Sequence, residues 1–389
     1  MEENRNNIEP NGKFEFPVLQ DNPGCCGGGL APKKEPCSPP CLDQDFVSGS
    51  IATPQGNIPR VSSTLSRQDR WGTIRTRLGA GRMKYAVDPG LYALGKPDEQ
   101  SPVLVTANYK MSFDYLRQSL PNQNAWILVL DTMGINVWCA AGKGTFGTQE
   151  LIWRIETSRL KNIVRHRNLI LPQLGAPGVS AHLVRQASGF RVHYGPVRAK
   201  DLPAYLDSGF KAKREMRIMA FPLKDRAVLI PIELLAAVRP YFIAALVLML
   251  LSGILGPSGF LKNILHDGMF VAGALLLAIA AGTILLPLLL PYLPGRAFSV
   301  KGLFVGLVVA VGLIYMRGMN FQIWAERIQA LAWVLIIPAV SAYLGMNFTG
   351  CSTYTSLSGV KKEMRFALPM EITAGILGIA AWMTSAFLA

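Results

Sequence analysis

One cysteine of the chain has neighbours that suit metal ligation. Cys139 is followed by Lys143, and the segment 131–147 comes after a strongly apolar run and leads into a region of helical period. A nearby cation and a helix N-terminus both favour the thiolate, the form of cysteine that binds metals. The small residues at 140–142 would also let a flat ligand approach the backbone closely. Cys139 is therefore a candidate metal ligand, the alternative being a small buried hydrophobe beside an apolar strand.

The glycine–lysine pair next to this cysteine does not form a phosphate-binding loop. Such a loop needs a glycine five positions before its final glycine, and Ser or Thr directly after the lysine. Val137 and Gly144 occupy those two positions here. We therefore reject nucleotide hydrolysis as the function.

The segment around Cys139 resembles the signature of a known family. Residues 136–143 read Asn-Val-Trp-Cys-Ala-Ala-Gly-Lys, which is similar to the cap-helix motif of the membrane-bound corrinoid proteins of anaerobic mercury methylation. The resemblance continues through 103–110, 171–178 and 194–199, and with the apolar segments that follow it covers the chain from about residue 65 onward. In that family the soluble domain is similar to the corrinoid-binding domain of the corrinoid iron-sulfur protein of the acetyl-CoA pathway.

The resemblance implies a corrinoid (cobalamin-type) cofactor and assigns roles around it. Cys139 would be the lower axial ligand of cobalt and the catalytic residue, while Asn136 and Trp138 would shape the cap. Small residues would keep the cap surface flat against the corrin. The implied cofactor-binding set is Thr106, Asn108, Asn136, Val137, Trp138, Cys139, Ala140, Ala141, Gly142, Lys143 and Gly175. A histidine ligand is not expected, because no histidine of the chain stands in an Asp-x-His-x-x-Gly motif.

The implied activity is corrinoid-dependent methyl transfer. Such a methyltransferase would pass a methyl group from cobalt to Hg(II) and form methylmercury. A thiolate donates strongly to cobalt, so it would stabilise the oxidised metal after the methyl group leaves with its bonding electrons; a radical transfer would use the same residues. The resemblance also implies a small ferredoxin-like protein with 4Fe-4S clusters as reductant and a methyltetrahydrofolate-linked methyl donor.

Two other functions stay open at this point. A membrane-anchored corrinoid methyl carrier for another metabolic acceptor would share every motif named above. A transporter with a soluble regulatory domain is less favoured, because the apolar segments carry few charges, Glu371 at the edge of one being an example. The net charge of +14 is not accompanied by a nucleic-acid-binding module, and anchoring to an anionic membrane explains it better.

Composition and hydropathy predict the organisation of the chain. Hydrophobic residues make up 50% of the 389 residues and charged residues only 16%, which argues against a wholly soluble enzyme. We predict a disordered tail at 1–63, an α/β Rossmann-like corrinoid-binding domain at 64–227 and a helical transmembrane domain at 228–389. The predicted strands are 103–105, 126–130, 169–171 and 190–194, and a helix is predicted at 149–159.

Five membrane spans are predicted in the last of these parts. They lie at about 240–255, 269–290, 299–316, 330–346 and 370–388, each near the ~20 residues that a spanning helix needs. The bias of Lys and Arg near the span ends places the N-terminal domain in the cytoplasm and the C-terminus outside the cytoplasmic membrane. The segment 228–238 is predicted to be an interfacial helix.

The remaining cysteines receive no firm role. Cys25, Cys26, Cys37 and Cys41 fit no zinc or iron-sulfur spacing, although a Cys pair beside glycine-rich chain could hold a soft metal such as Hg(II). Cys351 lies in a polar segment, 346–360, that is similar to part of the large subunit of the corrinoid iron-sulfur protein. We predict no disulfides, because a cytoplasmic domain is kept reduced.

Overall fold

The computed structural model describes residues 40–348 and 357–388. A mixed α/β part is built around a seven-stranded sheet with the order β1-β2-β3-β5-β4-β6-β7. The strands are Val47–Thr53 (β1), Gly56–Val61 (β2), Gly90–Leu94 (β3), Val103–Ala107 (β4), Ala125–Leu130 (β5), Asn168–Leu171 (β6) and Arg191–Tyr194 (β7). The helices are Arg67–Arg77 (α1), Lys110–Gln118 (α2), Val137–Lys143 (α3), Thr148–Thr157 (α4), Ala181–Ser188 (α5) and Leu202–Asp207 (α6).

Helices cover both faces of the sheet because its central strands are apolar on both faces. Within β4, Val105 belongs to one core cluster and Leu104 to the other, as alternating side chains require. Phe113 of α2 packs in the cluster of Leu104, whereas Leu151 of α4 and Val184 of α5 pack in the cluster of Val105. The four strands and the helix predicted here are confirmed within a residue or two at each end.

The strands β5, β4, β6 and β7 run parallel, so their carboxyl ends meet at one edge of the sheet. The chain leaves β4 through α2 on one face and leaves β5 through α3 and α4 on the way to β6. In open α/β sheets, ligands bind at the carboxyl edge where the connections diverge in this way. A ligand-binding site is therefore expected at the edge formed by the residues after β4, β5 and β6.

The predicted boundary of the N-terminal tail at residue 63 is wrong. Residues 47–61 form a hairpin whose second strand pairs with β3, so they belong to the sheet. The Pro, Gly and Ser content of this segment masked its two apolar residues Ile58 and Val61, which are buried on opposite faces of the sheet. Gly56, with φ of +111°, permits the tight turn between the two strands.

The C-terminal part is helical, and within residues 40–348 and 357–388 it contains five membrane-compatible helices, the number predicted. The segments long and apolar enough to cross a membrane are Leu223–Leu255, Phe260–Leu289, Phe298–Arg317, Trp324–Phe348 and Gly359–Leu388. Their α-helices are Leu223–Ala227 (α7), Ile230–Leu255 (α8), Phe260–Asn263 (α9), Met269–Ala280 (α10), Leu286–Leu289 (α11), Phe298–Arg317 (α12), Trp324–Phe348 (α13) and Leu357–Leu388 (α14), with π-helical turns at Ile264–Gly268 and Ala281–Leu285. The predicted separate helix at 228–238 is instead continuous with α8, which runs through Pro240.

Small residues let the apolar helices approach closely. A Cβ on Gly302 of α12 would lie 2.6 Å from the Ser341 carbonyl oxygen of α13, and one on Gly306 would lie 2.6 Å from the Pro338 Cα. Helices in lipid gain their association from such backbone contact, since lipid tails are as apolar as the side chains. The pair α12–α13 therefore forms a tightly packed centre of the helical part.

A buried arginine ties the helical part to the chain that leaves the sheet. The Arg226 guanidinium of α7 donates to the carbonyl oxygens of Pro287 and Leu288 at 2.8 and 2.7 Å. Next to it on α7, Asp225 pairs at 2.9 Å with Arg198, which follows β7. These contacts link the segment after the last strand to the end of α11.

Candidate functional site

The turn between β5 and α3 presents Cys139. Met133 and Gly134 have φ of +56° and +69°, a left-handed pair that reverses the chain sharply at the strand's end. Asn136 then starts α3 as its N-cap, its side-chain oxygen accepting from the Cys139 backbone N–H at 2.9 Å. The first turn of α3 is thus fixed by the residue type that caps helices best.

Asn108, directly after β4, holds this turn from below. Its side-chain oxygen accepts from the backbone N–H groups of Thr132 and Gly134 at 3.1 and 3.0 Å and lies 2.8 Å from the Thr132 hydroxyl. Its amide nitrogen donates to Asp131 at 3.1 Å. Asn108 is only 6% exposed and its side chain is bonded to the turn. This predicted cofactor-binding residue therefore positions the turn that leads to Cys139.

An ion pair supports the same turn from α4. The Glu150 carboxylate accepts from the Asp131 backbone N–H at 2.8 Å and from Arg154 at 2.7 Å. Burial raises the pKa of Glu150, and the adjacent Arg154 guanidinium opposes that rise. Sequence reasoning missed this pair, although Glu150 and Arg154 stand at the i,i+4 spacing that brings helical side chains together.

One face of α3 is buried against the chain that follows β6. Ala140 and Ala141 are 0% and 6% exposed. A Cβ on Gly178 would lie 3.1 Å from the Ala141 Cα and 2.1 Å from the Phe146 carbonyl oxygen, and one on Gly175 would lie 2.5 Å from the Phe146 ring. The expectation that Ala140 and Ala141 form the flat outer surface is therefore corrected: these two alanines and Gly175 are small because the protein packs against itself here.

The other face of α3 carries the residues available to a ligand. Cys139 is partly exposed, and Gly142 and Lys143 are exposed; they lie three and four residues after it, on the same side of the helix. Apart from its chain neighbours and the backbone of its own helix, no heavy atom of the described residues lies within 4 Å of the position that a Cβ on Gly142 would take. Trp138 is partly exposed and Val137 packs against the core. There is thus open space beside α3 at Gly142, one turn after Cys139.

Thr106 lies apart from this open face. It is inside β4, paired with Val129 of β5, and is 4% exposed. The structure therefore brings together Asn136, Trp138, Cys139, Gly142 and Lys143 at the surface, and places Thr106 and Asn108 in the layer beneath.

Four buried charged side chains, two of each sign, form a cluster that begins at Lys110, the first residue of α2. Lys110 pairs with Asp69 and Asp114 at 2.6 and 2.7 Å, and Arg117 pairs with the same two carboxylates at 2.7 and 2.8 Å. Burial alone would raise the pKa of Asp69, but hydrogen bonds from Lys110, the Ser66 backbone and Arg117 outweigh it and hold that pKa well below its usual range. Burial raises the pKa of Asp114 against the pull of both cations, and it raises the pKa of Tyr85 to about 12 together with the charge of Asp114.

The described part of the chain contains no cluster of potential metal ligands. Within residues 40–348 and 357–388, no group of three or more His, Cys, Asp or Glu side chains is placed to hold a metal ion. Cys41 is exposed, and its backbone N–H donates to Asp88. Cys25, Cys26, Cys37 and Cys351 lie outside the described residues.

Known proteins resemble the α/β part. Residues 79–206 match the family described as CO dehydrogenase/acetyl-CoA synthase delta subunit. The acetyl-CoA decarbonylase/synthase complex subunit gamma of Methanopyrus kandleri is 34% identical over 123 residues, which are 31% of this chain and 26% of that protein. The subunit gamma of Methanocaldococcus jannaschii is 37% identical over 97 residues, 24% of this chain and 20% of that protein.

The similarity covers only part of this chain and only part of each relative. The chain spans only about a quarter of the length of these relatives. The matched residues 79–206 run from the end of α1 to α6 and include every predicted cofactor-binding residue. The α/β part is therefore similar to one stretch of these subunits, and the helical part lies beyond the match.

Proposed function

We propose that this protein is a membrane-anchored, corrinoid-dependent methyltransferase whose acceptor is Hg(II). Its α/β part would be a Rossmann-like domain that binds the corrinoid against the open face of α3. The observation that carries the proposal is the partly exposed Cys139 on a capped helix, with open space at Gly142 one turn further along.

The residues around Cys139 fit a large flat cofactor with a metal at its centre. A thiolate is a soft, strongly donating ligand, and a bound corrinoid would supply cobalt that carries the methyl group. Cys139 would hold this cobalt through its sulfur. Trp138 would shape one rim of the cap, and Gly142 would leave room one helical turn from the thiol.

The chain's own contribution is to hold this face in place before anything binds. Asn136 fixes the first turn of α3, and Asn108 fixes the turn before it through two backbone N–H groups. Such support keeps a ligand within the small positional tolerance that catalysis requires. Lys143 lies four residues after Cys139, on the same exposed side of α3.

Proposed partners follow from the resemblance of the cap motif and from the relatives. A small ferredoxin-like protein with 4Fe-4S clusters would be the reductant, and a methyltetrahydrofolate-linked protein would be the methyl donor. The relatives are named as subunits of a complex, which supports partner proteins at the α/β part. The five apolar helices would anchor the domain to the cytoplasmic face of the cell membrane, with the C-terminus outside.

A second candidate function is that of a methyl carrier for another metabolic acceptor. The names of the relatives favour it, because they refer to acetyl-CoA decarbonylase/synthase and not to mercury. Both candidates use Cys139 in the same way and differ only in the acceptor.

Single-turnover methyl transfer under anaerobic conditions tests the proposal. The purified full-length protein is loaded with methylcorrinoid and given thiolate-bound Hg(II), and methylmercury is quantified. We expect methylmercury from the wild type and from the control Cys41→Ala, and a loss of at least about 100-fold in Cys139→Ala. Wild-type protein that retains methylcorrinoid but forms no methylmercury would favour the carrier function. Equal transfer by wild type and Cys139→Ala would contradict the ligand.

A further inference from the structure

Helix α1 reverses the usual arrangement of apolar and polar residues. Its inward face carries Asp69 and Thr76, which are 6% and 2% exposed, whereas Trp71, Ile74 and Leu78 at its outward face and C-terminal end are 67%, 49% and 46% exposed. A surface helix of a soluble domain normally turns its apolar stripe to the core. Positions 71, 74 and 78 are three and four residues apart, so their side chains form one continuous stripe.

Polar contacts explain how α1 can be attached by its hydrophilic side. Ser66 and Asp69 form a reciprocal capping box at its start. The Asp69 carboxylate is bound by Lys110 and Arg117 of α2, and the Tyr85 hydroxyl donates to the Asp69 carbonyl oxygen at 3.3 Å. The buried contacts fix the rotation of the helix, so the apolar stripe is held outward.

The exposed charges that α1 itself carries beside the stripe are all positive, although the exposed Asp45 accepts a hydrogen bond from Gln68 of α1 at 2.6 Å. Arg67, Arg70 and Arg75 are exposed, and on a helical projection Arg70 and Arg75 flank the stripe on its two sides. The single acidic residue of α1 is Asp69, which is buried and neutralised. Any surface that covers the stripe therefore meets apolar side chains between cationic ones.

The end of α1 lies beside the first membrane-compatible helix. A Cβ on Gly79, two residues after α1, would be 4.0 Å from the Ile232 side chain, near the start of α8. Glu233 and Arg239, the two charged residues of α8, both lie in its first ten residues, and a helix that crosses a membrane keeps such charges out of the hydrocarbon. A bilayer that holds α8 would therefore have its headgroups close to the C-terminal end of α1.

We propose that α1 is an interfacial helix that inserts Trp71, Ile74 and Leu78 into the cytoplasmic leaflet of an anionic phospholipid membrane. Tryptophan is enriched at the membrane interface, and arginines beside an apolar stripe are attracted to anionic headgroups. This contact fixes the orientation of the α/β part relative to the bilayer. The proposal rests on the membrane anchoring proposed above, but not on the cofactor or on the methyl acceptor.

Depth-dependent quenching in nanodiscs tests this contact. In full-length protein whose native cysteines are changed to serine, a fluorophore is attached at Ile74→Cys and, in separate samples, at Leu78→Cys. The matched control is Leu183→Cys on α5, since Leu183 is 45% exposed on a helix of the same part. Lipids with a nitroxide high on the acyl chain are the quencher, in phosphatidylcholine discs with and without phosphatidylglycerol.

We expect quenching at 74 and 78 to exceed that at 183 by at least about threefold, and the difference to grow with phosphatidylglycerol. Adding Arg70→Glu and Arg75→Glu should reduce quenching at 74 by at least about half at low salt. Circular dichroism matched to the wild type shows that each variant is folded. Equal quenching at 74, 78 and 183 in both lipid compositions would overturn the proposal and leave a protein partner as the occupant of the stripe.

Discussion

Two short helices of the α/β part differ in what they turn outward and in what holds them. Helix α1 is attached by buried charges and exposes an apolar stripe. Helix α3 is attached by small apolar residues, Ala140 and Ala141, and exposes a cysteine, a glycine and a lysine. In both cases the contacts underneath decide which side chains face outward. When the buried side of a helix is enough to hold it in place, its outer side is free to bind a ligand or to meet another surface.

The largest expected effect is on the anchoring of α1. Asp69→Asn should lower the free energy of unfolding by about 3 kcal/mol at neutral pH, because it leaves Lys110 and Arg117 without one of their two carboxylate partners in a buried site. Denaturant unfolding of the full-length protein in detergent, followed by tryptophan fluorescence, measures the change. Asp45→Asn is a control on an exposed carboxylate; equal losses in the two variants would contradict the role of the cluster.

The same variant should remove an acid dependence of stability. The pKa of Asp69 is held below its usual range in the folded protein, so between that low value and about pH 4 the unfolded chain binds the proton more readily. The stability contributed by Asp69 is complete above about pH 5 and is lost as the pH falls. The gap in unfolding free energy between wild type and Asp69→Asn should therefore narrow from pH 6 to pH 3. A gap that stays constant would show that Asp69 has an ordinary pKa.

The next effect is on the turn that presents Cys139. Asn108→Ala removes an acceptor for two buried backbone N–H groups and should cost about 2 kcal/mol of stability. It should also weaken corrinoid binding, because α3 loses its fixed starting point, while the exposed Asn57→Ala should change neither property. Unfolding curves and cofactor titration measure the two effects. Normal binding in Asn108→Ala would show that α3 is positioned without this turn.

The smallest effect on stability is expected at Gly142, on the exposed face of α3, where a substitution should affect ligand binding but not the packing of the helix. Gly142→Val puts a branched side chain into open space beside the thiol, so the unfolding free energy should change by less than about 1 kcal/mol. Corrinoid affinity should fall about tenfold in Gly142→Val, because the added side chain meets the corrinoid. The affinity of Gly142→Ala should lie between that of the wild type and that of Gly142→Val. Absorbance titration measures the affinities, and an unchanged affinity in Gly142→Val would place the cofactor elsewhere.

Sequence patterns predicted the parts of the fold that repeat a simple period. The parallel strands β4, β5 and β6 are largely apolar runs, and the five apolar helices are long enough to be recognised by hydropathy. The β1–β2 hairpin was missed because it contains no continuous apolar run, and turn-forming residues diluted the apolar signal. No local pattern could show that Asp69 of α1 meets Lys110 and Arg117 of α2, because that contact depends on the tertiary fold.

The sequence could identify those residues of the candidate site that are neighbours on one helix, but not the roles that depend on the tertiary fold. The cap motif pointed to Cys139, Gly142 and Lys143 as neighbours, since their spacing is local to one helix. Asn108 was named from a strand end, but its role as a support for another strand's turn depends on which strands are adjacent in the sheet. Ala140 was assigned to the outer face because smallness alone does not tell whether a ligand or the protein itself requires it.

X-ray absorption at the cobalt edge tests the central claim most directly. The full-length protein is loaded with corrinoid under anaerobic conditions, and the wild type is compared with Cys139→Ala and with Cys41→Ala. We predict a sulfur ligand at cobalt in the wild type and in Cys41→Ala, and its replacement by a lighter ligand in Cys139→Ala. A cobalt-bound corrinoid with the same ligand set in all three proteins would contradict the assignment of Cys139.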